Sequence, residues 1–219
     1  MKVVKFLLIS LTLIFLSCAT KRPEGSTEAE VLFKEAKALM GKSRYIQATE
    51  KLNLLRSQYP YSFYATSAEL LQADILFAQE NYAEAASAYI LFRDFHPKYS
   101  ELGYVIFRIS ESFYLQLPST FDRDLTAGLE AIKYYNELLQ NYPNTEYVKE
   151  AQSRINQIES MLEQKEIYIA DFYFKTKDYF AAKSRYEEIL KSLKNEAEKT
   201  RIAARIEESQ KLLNESEQR

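Results

Sequence analysis

The 219-residue chain contains one cysteine, one histidine and no tryptophan. A lone Cys18 and a lone His96 exclude a disulfide scaffold, a zinc finger and a Cys–His nucleophile pair made within the chain. His96 precedes Pro97 and reads as a turn residue. Four glycines and five prolines are few for this length. That scarcity argues against an all-β chain with many tight turns and for long helices with short connections. There is no glycine-rich phosphate loop, and adjacent carboxylates such as Glu187–Glu188 and Glu207–Glu208 diverge on a helix. No catalytic constellation emerges, and no enzyme is expected. What the chain has in quantity is hydrophobic residues, at 47 %, with 17 Tyr and 13 Phe among them.

The first 17 residues differ from the rest. Lys2 and Lys5 precede an apolar run from Phe6 to Leu16, too short for a bilayer that needs about 20 residues and suited to a secretory signal peptide. The run ends in Phe15-Leu16-Ser17-Cys18, which resembles a bacterial lipobox with Phe where Leu is usual. Residues 1–17 are thus expected to be removed and Cys18 to carry covalent lipid, the one attached group expected. Ala19 in place of Asp points to the outer membrane, on resemblance to lipoprotein sorting rules. Without Lys2 and Lys5 the chain holds 27 basic and 31 acidic residues, net −4, so nucleic acid is a poor partner. Residues 18–26 read as a lipidated tether, and Thr27 with Glu30 forms a capping box that opens the first helix.

From there the chain repeats. Tyr45-x-x-Ala48, Tyr82-x-x-Ala85, Gly128-x-x-Ala131 and Tyr179-x-x-Ala182 are each followed by apolar residues at helical spacing. Pro60, Pro97 and Pro143 close the first three, and Lys194 stands where a fourth proline would. Twelve residues before these alanines stand Ala36, Ala73 and Ala170, with Ser110 in the third repeat after a nine-residue insertion. This is the tetratricopeptide pattern of helix pairs. It predicts an all-α solenoid of about four helix pairs plus a C-terminal capping helix. The repeats fall at 27–98 (one and two), 99–144 (three, with a long loop) and 145–219 (four and the final helix). The spacing predicts helices over roughly 28–41, 44–58, 62–79, 82–95, 100–116, 125–141, 145–176, 178–193 and 196–216. Ser62, Ser100 and Thr145 are expected caps, and Tyr45, Tyr82 and Tyr179 expected core.

The first helix of each pair should line a concave groove. In register these positions are Phe33 and Lys37, Asp74 and Phe77, then Tyr104, Arg108, Glu111 and Tyr114. Aromatic and charged side chains so arranged suit an extended peptide; the same rings could instead pack between repeats.

The lipobox, Tyr59-Pro60-Tyr61-Ser62-x-Tyr64, Tyr142-Pro143-Asn144-Thr145-x-Tyr147 and Asp122-Arg123-Asp124 together form an ordered set. With Glu166-Ile167-Tyr168-Ile169-Ala170-Asp171-Phe172-Tyr173 and Tyr179-x-Ala181-Ala182-x-x-Arg185, they resemble the BamD (ComL) family of outer-membrane β-barrel assembly lipoproteins. The resemblance implies a periplasm-facing, lipid-anchored scaffold and substrate receptor. Its partners would be a barrel protein bearing POTRA domains and unfolded outer-membrane proteins or their targeting peptides. It also implies a contact to the barrel protein through Arg185, with Glu187 beside it; the bland alternative is a solvated or in-helix pair. A second functional reading is a tetratricopeptide envelope adaptor for cell-division, Tol or peptidoglycan-synthesis partners.

Overall fold

The computed structural model describes residues 22–193 and 195–217. The expected signal peptide, Cys18 and Lys194 lie outside the described residues. Among those described there are nine helices and no strand. They are α1 (Glu28–Met40), α2 (Tyr45–Gln58), α3 (Phe63–Ala78), α4 (Tyr82–Phe95), α5 (Leu102–Tyr114), α6 (Thr126–Asn141), α7 (Val148–Lys175), α8 (Tyr179–Ser192) and α9 (Glu196–Glu217). None is long and apolar enough to cross a membrane. The chain forms two compact units, Met1–Ile75 and Leu76–Arg219, divided within α3.

The small residues of the repeat do what their size allows. Ala36, Ala48, Ala73, Ala85, Ser110, Ala131, Ala170 and Ala182 are all fully buried. A methyl or hydroxymethyl at a helix crossing lets two backbones approach, and neighbouring large side chains then close the angle. In the first unit Ala29, Leu32 and Ala36 of α1 join Leu52 and Leu55 of α2 and Ala65, Ala68, Leu71 and Ile75 of α3 in one core cluster.

The tyrosines that fill these cores are not the expected ones. Tyr45, Tyr82 and Tyr179 are only half-buried, because each starts its second helix where one side faces water. Four residues past the recurring alanine, one helical turn deeper, Tyr89, Tyr135 and Tyr186 are fully buried, and Leu52 takes that place in the first repeat. Gly128 holds the starting position in the third repeat for a steric reason. A Cβ there would lie 2.7 Å from Ile158 Cγ2 and 3.1 Å from Leu117 Cδ2.

In the turns inside three pairs the left-handed position is held by a residue other than glycine. Ser43, Glu80 and Lys177 adopt positive φ (56°, 62° and 68°), and the following amides donate to Leu39 O, Leu76 O and Tyr173 O. Each left-handed non-glycine residue costs about 1–2 kcal/mol, which the packed helices on either side offset.

Capping followed the sequence only in part. Thr27 Oγ1 accepts the Glu30 amide at 3.2 Å, and Ser62 Oγ accepts from Tyr64 N at 3.2 Å. Glu30, however, reaches past Thr27 to the Ser26 amide and hydroxyl. Thr145 does not cap α7: its hydroxyl donates back to Tyr142 O and its methyl faces Gly103. At Ser100 the helix begins one residue late, with Glu101 at the cap and no side-chain cap bond. Asp178 and Asn195 cap α8 and α9 instead.

Two outcomes follow from this packing. Gly128→Tyr, which restores the residue found in the other three repeats, should lower stability by about 1–3 kcal/mol through overpacking, read as a fall in Tm. Ile158→Ala in the same chain should return part of the loss. The Glu30 carboxyl is held at about pKa 2 by the Lys34 ammonium, then by the Ser26 hydroxyl and amide. A depressed carboxylate stabilises the folded state above its unfolded pKa near 4.5 and loses that effect as pH falls towards 2. The protection of the Ser26 and Glu30 amides, each exchange rate taken relative to that of an unfolded chain at the same pH, should therefore fall across that window, with the core of α5 unaffected.

Candidate partner-binding surfaces

The second unit is organised around α5. Leu102, Gly103, Val105, Ile106, Phe107, Ile109, Ser110, Glu111 and Ser112 of this helix are all buried. Phe107 stacks on Tyr147 at 4.5 Å, and Phe113 of the same helix stacks on Tyr134 at 5.7 Å.

Glu111 was expected to face a peptide, and the structure places it inside. Its side chain is 9 % exposed. Its carboxylate accepts the Tyr135 hydroxyl from α6 and Arg154 Nε from α7 at 3.1 Å. A buried carboxylate without such donors would be costly, so the acid is fixed where its partners are. Arg154 also lies over the Tyr114 ring at 4.2 Å, and the Tyr114 hydroxyl donates to Gln157 at 2.7 Å. Burial first, then the bond to Glu111, pushes the Tyr135 phenol well above its ordinary range.

The arrangement recurs at the fourth repeat. Tyr186 donates to Asp171 at 2.5 Å, and Arg201 of α9 reaches the same carboxylate at 3.4 Å. Acid and tyrosine are 15 residues apart here and 24 apart in the third repeat, the nine-residue insertion making the difference. In the second repeat Tyr89 accepts from Arg108 Nε at 3.4 Å, and Asp74 stands 15 positions before Tyr89 in the sequence. Sequence reasoning missed Tyr135, Tyr186, Arg154 and Arg201; the shared acid-to-tyrosine spacing was the signal that could have found them.

The eight expected groove residues fall into both units. In the first, Phe33 is half-buried with its ring 5.7 Å from Tyr64, Lys37 is exposed and Asp74 is half-buried. In the second, Arg108 lies over Phe77 at 3.6 Å and beside Tyr104 at 5.7 Å. Phe77 also meets Tyr82 edge-on at 5.2 Å. Phe77, Tyr104, Arg108 and Tyr114 are all half-buried, so they present ring edges and a guanidinium rather than bare faces. Such an edge suits backbone carbonyls and side chains of an extended segment.

A larger concavity lies between the middle of α7 and α8, with a volume of about 1200 Å³. Its lining includes Glu159, Glu163 and Glu166 from α7 and Phe180, Arg185 and Glu188 from α8. Phe180 is 71 % exposed. Arg185 pairs with Glu166 at 3.4 Å and lies over Tyr173 at 5.3 Å, so its pairing is across helices rather than within α8. Glu187 turns to Lys183 at 3.3 Å and is absent from the lining. The opposite side of α7 carries the third-repeat loop. Lys165 Nζ donates to Arg123 O at 2.7 Å and Phe121 meets Tyr168 at 6.0 Å. Within that loop the Thr120 hydroxyl holds the Asp122 carboxyl below its usual range, and Thr126 does the same for Asp124.

Tyr135→Phe removes one donor from a buried carboxylate and should cost about 1–3 kcal/mol. Tyr186→Phe should cost less, since Asp171 is 43 % exposed and water can replace the phenol. Urea unfolding of the two variants checks the order.

The fold resembles a solved tetratricopeptide structure, the TPR2AB domain–pHSP90 complex of yeast Sti1. The TM-score is 0.55 at 14 % identity, over 86 % of this chain and 72 % of that one; at that identity the likeness speaks to fold alone. In sequence, the chain is 27 % identical over 217 residues to outer membrane protein assembly factor BamD of Rickettsia prowazekii, covering 97 % of this chain and 86 % of the relative. It is 29 % identical over 205 residues to the BamD of Neisseria gonorrhoeae, covering 86 % and 77 %. The BamD of Vibrio cholerae is 25 % identical over 218 residues, covering 94 % and 89 %. The family model described as outer membrane lipoprotein, YfiO, matches residues 26–219, and the chain belongs to this BamD family.

Proposed function

We propose that the chain is a non-enzymatic scaffold and substrate receptor in outer-membrane β-barrel protein assembly. It is held by lipid on Cys18 to the periplasmic face of the outer membrane. The α7–α8 concavity docks a POTRA domain of the barrel protein, and the Phe77, Tyr104 and Arg108 surface receives segments of unfolded barrel proteins. One observation carries the docking site: within the family match, Arg185 stands on the wall of the concavity, 41 % exposed. Its other anchors there are one half-exposed carboxylate, Glu166, and the Tyr173 ring. A guanidinium so placed can leave Glu166 for a partner carboxylate while Phe180 offers apolar area.

The test is co-purification from detergent-solubilised envelopes. The intact chain should bring down a large β-barrel protein with POTRA domains. Arg185→Glu should weaken that association by about 2 kcal/mol or more, because it adds like charge beside Glu166. Glu187→Ala should leave it near the starting level. Retention of the complex by Arg185→Glu would move the interface elsewhere, and absence of any barrel protein would end the reading.

A further inference from the structure

The connection between α2 and α3 and the first residue of α3 carry the two most exposed aromatic side chains among the described residues. In Tyr59-Pro60-Tyr61-Ser62-Phe63-Tyr64, Tyr61 is fully exposed and Phe63 is 76 % exposed, whereas Tyr59 and Tyr64 pack on the core cluster of the first unit. The outward rings stand on a fixed backbone. Ser62 N donates to Tyr59 O at 3.0 Å and Ala65 N to Ser62 O at 2.9 Å, and Phe63 meets Tyr64 edge-on at 5.8 Å. Rings so held, with no side chain among the described residues covering Tyr61, suit an interface that is apolar on one side and wet on the other.

The neighbouring segment says which interface. The described tether lies along α1: Arg22 pairs with Glu28 and Glu35, and Lys34 Nζ donates to Glu24 O at 2.9 Å. Lys34 adjoins Phe33, whose ring meets Tyr64 at 5.7 Å, so the Glu24 part of the tether and the aromatic turn lie against the same stretch of α1. Cys18 precedes the clamped Arg22 by four residues, a reach of at most about 14 Å for extended chain. The charges around the turn cancel: Arg22, Lys34, Lys51 and Arg56 pair with Glu28, Glu30, Glu35 and Glu69. An electrically balanced, aromatic end suits a phospholipid headgroup layer, where Tyr and Phe rings settle at the boundary with the acyl chains.

We propose that Tyr61 and Phe63 seat in the phospholipid leaflet that holds the acylated Cys18, giving the first unit a second, aromatic contact with the membrane. The lipid supplies retention and the two rings supply orientation, since a single flexible anchor fixes distance but not tilt. This rests on the reading of Cys18 as lipidated.

The absence of tryptophan makes a direct test available. Tyr61→Trp and, separately, Ile46→Trp are made in the full acylated chain and reconstituted into phosphatidylethanolamine–phosphatidylglycerol vesicles. Ile46 is 74 % exposed and is the second residue of α2, at the opposite end from the turn. The indole of Tyr61→Trp should shift to the blue on reconstitution and be quenched severalfold more by brominated lipid than that of Ile46→Trp. Equal quenching of both by aqueous iodide, on a chain that floats with vesicles and carries acyl groups by mass, overturns the aromatic contact and leaves the lipid anchor standing. A chain without acyl groups overturns the anchor and this proposal with it. Shielding of Tyr61→Trp that needs co-reconstituted barrel protein assigns the turn to a protein partner and overturns the lipid contact.

Discussion

A carboxylate, a phenol and a guanidinium drawn from three successive helices set the arrangement of the second unit. At Glu111 the three meet where little water reaches. Loss of Glu111 strands a buried phenol and loss of Arg154 leaves a buried carboxylate uncompensated by charge, and such a charge costs more than the intact group contributes. Hydrophobic contacts alone tolerate small slips between helices; a shared carboxylate does not, because phenol and guanidinium must both point at it. The same group at Asp171 is wetter and joins α7, α8 and α9. The third and fourth repeats are each thereby fastened to the helix that follows.

This geometry explains which parts of the chain could be read in advance. Helix positions followed from Ala48, Ala85, Ala131 and Ala182 and from the prolines after the first three, because backbone proximity admits only small residues and proline admits no further turn. Side-chain direction was harder. Glu111 and Tyr114 fell in register with Phe77 and Arg108, yet Glu111 points inward, since direction within a helix depends on what the next repeat presents. Arg154 is 43 residues downstream of Glu111, and no local pattern announces it. Tyr45, Tyr82 and Tyr179 misled for a related reason: they recur as visibly as Tyr89, Tyr135 and Tyr186, but recurrence alone does not separate a half-covered slot from a sealed one.

The two surfaces proposed for partners differ in kind. Around Arg108 the aromatic faces are already covered by a cation, which favours exchange of one weak contact for another and so suits brief, varied visitors. The α7–α8 concavity has an exposed ring, a half-exposed guanidinium and several carboxylates spread over a larger volume, features that suit a folded domain seated for longer. The polar tether fits the same division. Its ion pairs along α1 make the spacer shorter than its residue count suggests.

Helix α7 is buried at Ala151, Ile155 and Ile158 near its start and at Ala170 near its end, with no buried residue between Ile158 and Ala170. That middle stretch behaves as a beam supported at both ends and loaded from two sides. One side bears on the concavity, the other on the strapped loop through Lys165 and Tyr168. Over that stretch only partly buried side chains, Ile167 among them, bear on a core cluster, so the rod can turn slightly without a fully buried side chain having to repack. Occupancy of the hollow would thus be felt at Phe121 and Arg123, on the far side of the rod, without any helix having to break.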